Sequence, residues 1–511
     1  MSQLRADAKT IEWLIRIAAP AMFGLCLSAA SSVAQSQPAA DESLEVKVRQ
    51  LTDALSRAQK QIEQSQRELD ELRSQMTALQ QQIASANPAT SESDSARLSA
   101  AVDQIREQQA VDEAQIATHE QAKVETESKF PLKVSGLVLL TGFMNTTQAD
   151  NPVSPSIVLS GGGSTGASMR QTVLGLDARG PHLFNAQTHA DLRVDFDAAA
   201  TSAGAMANAY AEGLLRLRTA HAYLEWNRTQ AFFALDHPIV SPNTPTSFTA
   251  VAVPALGWSG NLWTWNPQIG MRQDFPLPGA KWFRMQAAMI DVMNPIQIYG
   301  ASNPSTTQIT SPTTAELSRW PGAEGRLALL GGDKDSGLQL GVGGLFVRHR
   351  SVGGTRFNSW AGTLDYRIPL TTHAELSGSG YWGAALGGLG GGAFKDYVFG
   401  PNPLSPTGYS FENLHALGGW TQFKTRVNQQ LEFNAAVGTD QVPASELRPY
   451  AGIASAYYLN LARNLTYTGN VIYSPSAYLT FSLEYRHMQS SPVNDYSTMG
   501  DIIGIATGYS F

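Results

Sequence analysis

Ile503-Gly504-Ile505-Ala506-Thr507-Gly508-Tyr509-Ser510-Phe511 is the stretch on which the reading of this chain turns. Larger side chains at odd positions alternate with Gly, Ala and Ser at even ones. A period of two sends successive side chains to opposite faces of a strand. A strand that is apolar on one face up to an aromatic end predicts the closing strand of a membrane β-barrel, with lipid on one side and lumen on the other.

The same texture extends back to Phe130. The expected fold is an all-β membrane barrel of about 16 antiparallel strands. They begin near Leu132, Gln171, Ala186, Leu214, Gln230, Asn266, Lys281, Gly325, Leu338, Phe357, His373, Leu414, Leu431, Leu465, Tyr478 and Asp501. An even count returns both barrel ends to one side, the periplasmic one. Short links such as Asn227 to Thr229 and Pro276 to Gly279 alternate with long ones. The long ones are Asn145 to Met169, His237 to Trp263, Asn294 to Trp320, Gly387 to Asn413 and Val442 to Arg463. Short periplasmic turns and long external loops are expected of bacterial barrels. Gly353 to Arg356 is a short exception on the external side.

Parity sorts the chemistry. Ala190, Leu192 and Val194 alternate with Asp191, Arg193, Asp195 and Asp197. Leu215 and Leu217 alternate with Arg216 and Arg218, Phe423 and Val427 oppose Lys424 and Arg426, and Leu483 and Tyr485 oppose Glu484 and Arg486. A charge facing mid-membrane lipid costs roughly 2–4 kcal/mol, so the charged faces are expected to line a watery lumen. Arg272, Arg284 and Arg367 join that set, with Arg179, Asp177, Asp274 and Asp365. These arginines read either as a path for small anions, because a guanidinium presents several fixed donors, or as braces for neighbouring acids across strands. Arg348 and Arg350 share parity with Leu340 and Val342 and fit neither face unless Gly343-Gly344 holds a bulge. Trp258, Trp263, Trp265, Trp282, Trp382, Tyr485, Tyr509 and Phe511 are expected in the aromatic girdles at the two interfaces.

Outside the barrel the sequence divides further. Arg5, Lys9 and Arg16 precede an apolar run from Ile17 to Ala30, and Ser32-Val33-Ala34 offers a cleavage site. Residues 1–34 therefore read as a signal peptide rather than an anchor, since the run is shorter than the roughly 20 residues a span needs. The single cysteine, Cys26, lies within it, so the mature chain would hold no disulfide or thiol site. Residues 35–42 form a short linker. Within residues 43–129, Leu44, Val48, Leu51, Leu55, Ile62, Leu69, Leu72, Met76, Leu79 and Ile83 recur in steps of three and four between Gln, Glu, Lys and Arg. That is a coiled-coil seam, a rod of roughly 60 Å at about 1.5 Å per residue. It places an α-helical coiled coil in the periplasm before the barrel of residues 130–511. The seam does not set the number of helices.

The net charge of −7 lacks the concentrated basic patch that a nucleic-acid partner requires. Gly161-Gly162-Gly163 and Gly390-Gly391-Gly392 read as loops without the strand-to-helix setting of a phosphate cradle. His182, His189 and His221 are scattered, and no Ser-His-Asp set stands out. The reading is of a non-enzyme without metal or cofactor.

Taken together, the leader, the heptads, Phe130-Pro131-Leu132-Lys133-Val134-Ser135-Gly136, Leu217-Arg218-Thr219-Ala220-His221-Ala222-Tyr223-Leu224-Glu225-Trp226, Asn266-Pro267-Gln268-Ile269 and Phe511 carry a resemblance. The chain resembles trimeric outer-membrane porins with an N-terminal periplasmic coiled coil, the DcaP-like family named for dicarboxylic acid uptake. The resemblance spans nearly the whole mature chain and implies a sixteen-stranded homotrimeric barrel that passes small anionic solutes. The proline-rich, partly apolar third external link resembles the third loop of general porins, which folds into the barrel. Its candidate constriction residues are His237, Pro242, Phe248, Val253 and Trp258. Resemblance to other bacterial barrels makes Tyr509 and Phe511 part of the signal read by the barrel-assembly machinery. The glycine-rich, low-charge stretch Gly383 to Gly392 departs from the family pattern.

The function expected is passive diffusion of small hydrophilic, carboxylate-type anions across the outer membrane, with lipid as the surrounding partner. One alternative is a structural spacer that contacts peptidoglycan through the rod. Another is a substrate-specific channel for phosphate or sugars, although a sugar path would carry aromatics on the lumen parity.

Overall fold

The structure, a computed structural model, describes residues 132–198, 214–294, 312–332, 337–351, 353–401, 408–451 and 460–511. The leader, linker and coiled coil expected over residues 1–129 lie outside the described residues. Among those described, no helix is long and apolar enough to cross a membrane. Strands do the crossing.

The first strand, β1, runs Leu132–Ala149. The second, β2, is broken into Val158–Ser168 and Val173–Arg179, both paired to β1 in the same direction. Then follow β3 (Gln187–Ala198), β4 (Leu214–Glu225), β5 (Thr229–Asp236), β6 (Asn266–Leu277), β7 (Lys281–Ile290) and β8 (Gly322–Gly331). The circuit continues with β9 (Leu338–Arg350), β10 (Arg356–Pro369), β11 (Ala374–Ala384), β12 (His415–Arg426), β13 (Leu431–Gln441), β14 (Leu461–Tyr473), β15 (Leu479–Pro492) and β16 (Thr498–Ser510). The main sheet is 17-stranded by segments, and two segments are halves of β2, so the chain crosses sixteen times. Every neighbour is antiparallel, and β16 pairs with β1 to close the barrel. Closure leaves no edge, the condition for a sheet in hydrocarbon, where an unpaired backbone group has no water to turn to.

The alternation has a physical cause that the exposures display. In β15, Leu483 and Tyr485 are 55% and 50% exposed while Glu484 and Arg486 are 1% and 7%. In β16, Ile505, Tyr509 and Phe511 lie outward, whereas Gly504, Ala506 and Gly508 face inward. Phe511 continues the seam: its N–H and C=O exchange hydrogen bonds with Gly136, both 3.0 Å. Its ring lies where a side chain on Gly136 would sit, 2.6 Å from a Cβ built there.

Several expectations are corrected. The first external link is not Asn145 to Met169: β1 continues to Ala149 and β2 starts at Val158. Gly161, Gly162 and Gly163 therefore lie in a strand rather than a loop. Glycines carry no side-chain alternation, so the period-two signal vanished where only backbone pairing remained. β8 begins at Gly322, three residues before the expected Gly325, which brings Glu324 onto its inward face. β9 pairs without a register shift from Leu338 to Arg350, so Gly343-Gly344 holds no bulge. A bulge does occur in the β3–β4 pairing, between Arg193 and Val194, and it lets Arg216, Arg218 and His221 all face inward.

Candidate pore and its lumen

The lumen wall is a ladder of ion pairs. Arg216 grips Asp195 with two bonds, Nε to Oδ1 at 2.9 Å and Nη2 to Oδ2 at 2.7 Å. Arg284 does the same to Asp274 at 2.8 and 3.0 Å. Arg193 reaches Asp177 at 2.6 Å, Arg426 reaches Glu432 at 2.9 Å, and Arg486 holds Glu484. Looser contacts are Arg272–Glu225 at 3.6 Å, Lys424–Glu432 at 3.9 Å, Arg218–Asp195 at 4.0 Å and Asp197–Arg170 at 4.0 Å. Arg367 donates to Gln339 at 2.9 Å. Asp191 holds His221 Nδ1 at 2.8 Å, with Asp236 3.0 Å from its Nε2. Bidentate arginine–carboxylate geometry is the strong form of this contact, so the tightest pairs brace the wall and the looser cations keep more of their field for the lumen.

Across this wall lies the segment from His237 to Trp265, between β5 and β6. Inward groups of the wall bond both its backbone and its side chains. Asn243 donates to Tyr366 O on β10 (3.2 Å), and Thr246 N donates to Gln422 on β12 (2.6 Å). Asn470 on β14 donates to Thr246 O (2.8 Å), and Ser247 donates to Glu484 on β15 (2.6 Å). Arg486 reaches Thr249 Oγ1 (3.0 Å), and Gln171 accepts from Val251 and Ala252 N–H (2.7 and 2.9 Å). The small inward residues of the closing strand now have a reason. A Cβ on Gly504 would stand 2.9 Å from Thr249.

The loop candidates separate in this arrangement. His237 bonds Asp236 at 3.0 Å, Pro242 is exposed, and Val253 is half-buried. Phe248 lines a cavity of about 570 Å³ with Thr246, Lys424, Arg426 and Glu432, beside the short turn at Asn428–Gln430. Trp258 is only 2% exposed and stacks on Phe394 of the link between β11 and β12, centroids 4.0 Å apart. Trp263 and Trp265, 6% and 8% exposed, join the same apolar cluster, and Arg216 and Arg218 sit 5.1 and 5.2 Å over the Trp265 ring. These three tryptophans are therefore not girdle residues. Packing of two long loops against each other shields them from lipid. Trp282 shares the inward parity of Arg284, while Trp382 at 58%, Tyr485, Tyr509 and Phe511 do face outward.

The two loops bond directly where Thr264 Oγ1 donates to Gly388 O at 2.9 Å and Trp263 N–H donates to Leu389 O at 3.0 Å. Buried polar groups tie the link between β11 and β12 to the barrel wall. Asp440 accepts from Gly392 and Ala393 N–H and from Tyr381 OH. In the link itself, Asp396 accepts from Gly387 N–H at 2.7 Å, and burial pushes its carboxyl up to about 7. Burial likewise lowers the neighbouring Lys395 ammonium to about 7, against the pull of Asp440. Lys395 Nζ donates to Ala393 O and Leu461 O.

Arg326 and Glu324 on β8 are lumen residues that the parity analysis missed. Arg326, 3% exposed, is bidentate to the fully buried Asp365 at 2.7 and 2.8 Å and reaches Gln286 at 2.8 Å. Glu324 faces Val240 N–H at 3.4 Å. The signal was present in Glu324/Arg326 alternating with Ala323/Leu327, but the late strand start hid it. Among the described residues no group of His, Asp and Glu is placed to hold a metal.

A closed sixteen-stranded barrel with a charged lumen and lipid-facing aromatics is an outer-membrane barrel of porin architecture. The outer-membrane channel DcaP of Acinetobacter baumannii has the same fold, with a TM-score of 0.55 at 17% identity, covering 76% of this chain and 99% of that one. Weaker likeness extends to the anion-selective porin from Comamonas acidovorans, with a TM-score of 0.45 at 12% identity, covering 75% of this chain and all of that one. OprB of Pseudomonas putida gives 0.41 at 12% identity, covering 75% and 94%. No protein-family model and no curated protein matches the sequence.

Proposed function

We propose that the protein is an outer-membrane porin for passive diffusion of small hydrophilic solutes, with a preference for carboxylate-type anions. The observation that carries this reading is a lumen face lined by arginines and carboxylates and crossed by one segment that is bonded to the walls. The segment from His237 to Trp265 narrows the path. Arg218 and Lys424, whose nearest carboxylates stand about 4 Å away, supply the anion preference beside Arg193, Arg216, Arg272, Arg284, Arg367, Arg426 and Arg486.

Field focusing in a narrow, low-dielectric bore lets several cations add. The Debye length is about 8 Å at physiological salt and about 3 Å at 1 M. Zero-current potentials in planar bilayers should therefore report mild anion preference at low salt that fades toward 1 M. Arg218→Glu with Lys424→Glu should shift the potential toward cations. A wild-type pore that prefers cations at every salt concentration overturns the anion reading. A silent bilayer would favour the spacer alternative.

The same reading extends to assembly. Residues 1–34 export the chain, residues 43–129 form a periplasmic coiled coil, and three barrels associate. Because the strands close their hydrogen bonds among themselves, deleting residues 35–129 should leave a barrel that still inserts, with a trimer no more heat-resistant than the full chain. Failure to insert would refute the two-part architecture. Tyr509 and Phe511 serve the assembly machinery: deleting Phe511 should lower outer-membrane levels and leave the conductance of refolded protein unchanged. Changed selectivity with normal assembly would count against that role.

A further inference from the structure

The outward face of β9 and β10 carries a charge pattern that the pore does not use. Leu340, Val342 and Phe346 on β9 are 42–54% exposed, as a lipid face requires. The same parity then continues into Arg348 and Arg350, both exposed. In the register, Arg350 stands directly opposite Arg356 of β10, and Arg348 is opposite Asn358. The ends of these strands lie on the long-loop side of the barrel, which is the external side.

Two observations make this more than stray surface charge. First, like charges directly opposite on one sheet face destabilise the pairing, and among the described residues none of the three arginines forms an ion pair. Glu316 and Glu412, exposed on adjoining elements, are no exception. Second, an aromatic collar adjoins the arginines at Arg348. Arg348 lies 5.3 Å over the ring of Trp320, which is 63% exposed. Phe346 pairs with Trp360, whose ring meets Trp382 edge-on at 4.6 Å. An apolar band, an aromatic belt and then clustered arginines follow the cross-section of a lipid with acyl chains, a glycerol- or sugar-level boundary and an anionic headgroup.

We infer that Arg348, Arg350 and Arg356 form a docking site for the phosphate-bearing headgroup of an external-leaflet lipid. Guanidinium groups bind phosphate oxygens in pairs, and one bound phosphate relieves the repulsion between Arg350 and Arg356. The lipid's chains lie along Leu340, Val342 and Phe346. A soluble phosphate has no use for that apolar face, which is why the lipid is the favoured occupant.

The test uses the full-length protein in detergent, titrated with diphosphorylated lipid A and with its dephosphorylated form and read by native mass spectrometry. The wild type should retain the diphosphorylated lipid about tenfold or more over the dephosphorylated one. Arg348→Gln/Arg350→Gln/Arg356→Gln should lose that preference, and Arg→Lys at the three positions should keep part of it. Inorganic phosphate at matched concentration should not displace the lipid. Equal retention of the two lipids by wild type overturns the inference and needs no variant to fold. So does undiminished preference in the triple Gln variant, or displacement by inorganic phosphate. A triple Gln variant that falls apart into monomers would instead assign this face to contacts between copies.

Discussion

Deleting Pro242 to Gly257 is expected to raise single-channel conductance several-fold while the barrel stays folded. The segment is held by side chains that point into the lumen, not by strand pairing. Gln171, Gln422, Asn470, Glu484 and Arg486 would lose loop partners but face water, where an exposed polar group finds new hydrogen bonds. The sixteen-strand circuit would keep every backbone bond. A milder perturbation should act in the same direction. Trp258→Ala removes a side chain stacked on Phe394 and edge-on to Trp263. Loss of a buried tryptophan costs about 3–5 kcal/mol, enough to let the segment leave the wall part of the time. Its conductance trace should become noisy between two levels. Unchanged conductance in the deletion variant would show that solutes pass beside the segment rather than past it.

Arg326→Met should be the most destabilising single change in the wall. It would leave Asp365, fully buried, with its guanidinium partner gone. Breaking a buried pair from one side costs about 3–5 kcal/mol because a charge is stranded. Equilibrium unfolding from lipid vesicles in urea should show the loss as an earlier midpoint. Arg326→Met with Asp365→Leu should recover much of it, since replacing both partners by apolar groups strands nothing. If the double variant is as unstable as the single one, the loss comes from packing against Gln286 and Gly341, not from the charge. Arg426→Met, whose side chain is 63% exposed, should cost far less than Arg326→Met by the same assay.

Much of the barrel was legible because lipid imposes a strict local rule. Period-two alternation in β3, β12, β15 and β16 needs no knowledge of partners: a charge facing hydrocarbon is costly wherever its neighbour lies. The rule failed where side chains fell silent, as at Gly161–Gly163, and where apolar residues face protein instead of lipid. Trp258, Trp263 and Trp265 have girdle chemistry but are buried between two loops distant in sequence. Arg348 and Arg350 broke the pattern visibly, and the unbroken register of β9 turned that anomaly into an outward patch.

By itself, then, the sequence determined a closing strand ending at Phe511, sixteen crossings, the side on which the long links lie, and which face of most strands is polar. All of these follow from hydrophobic periodicity, which is local. Only the tertiary structure decided which charge meets which. Arg193 pairs with Asp177 on β2 although Asp191, Asp195 and Asp197 are nearer in sequence. Thr246 finds Gln422 and Asn470, and Arg326 finds Asp365. Such pairings depend on strand register and on the course of one loop through a closed lumen. Those are set by the summed packing of the whole barrel, and no window of sequence contains them.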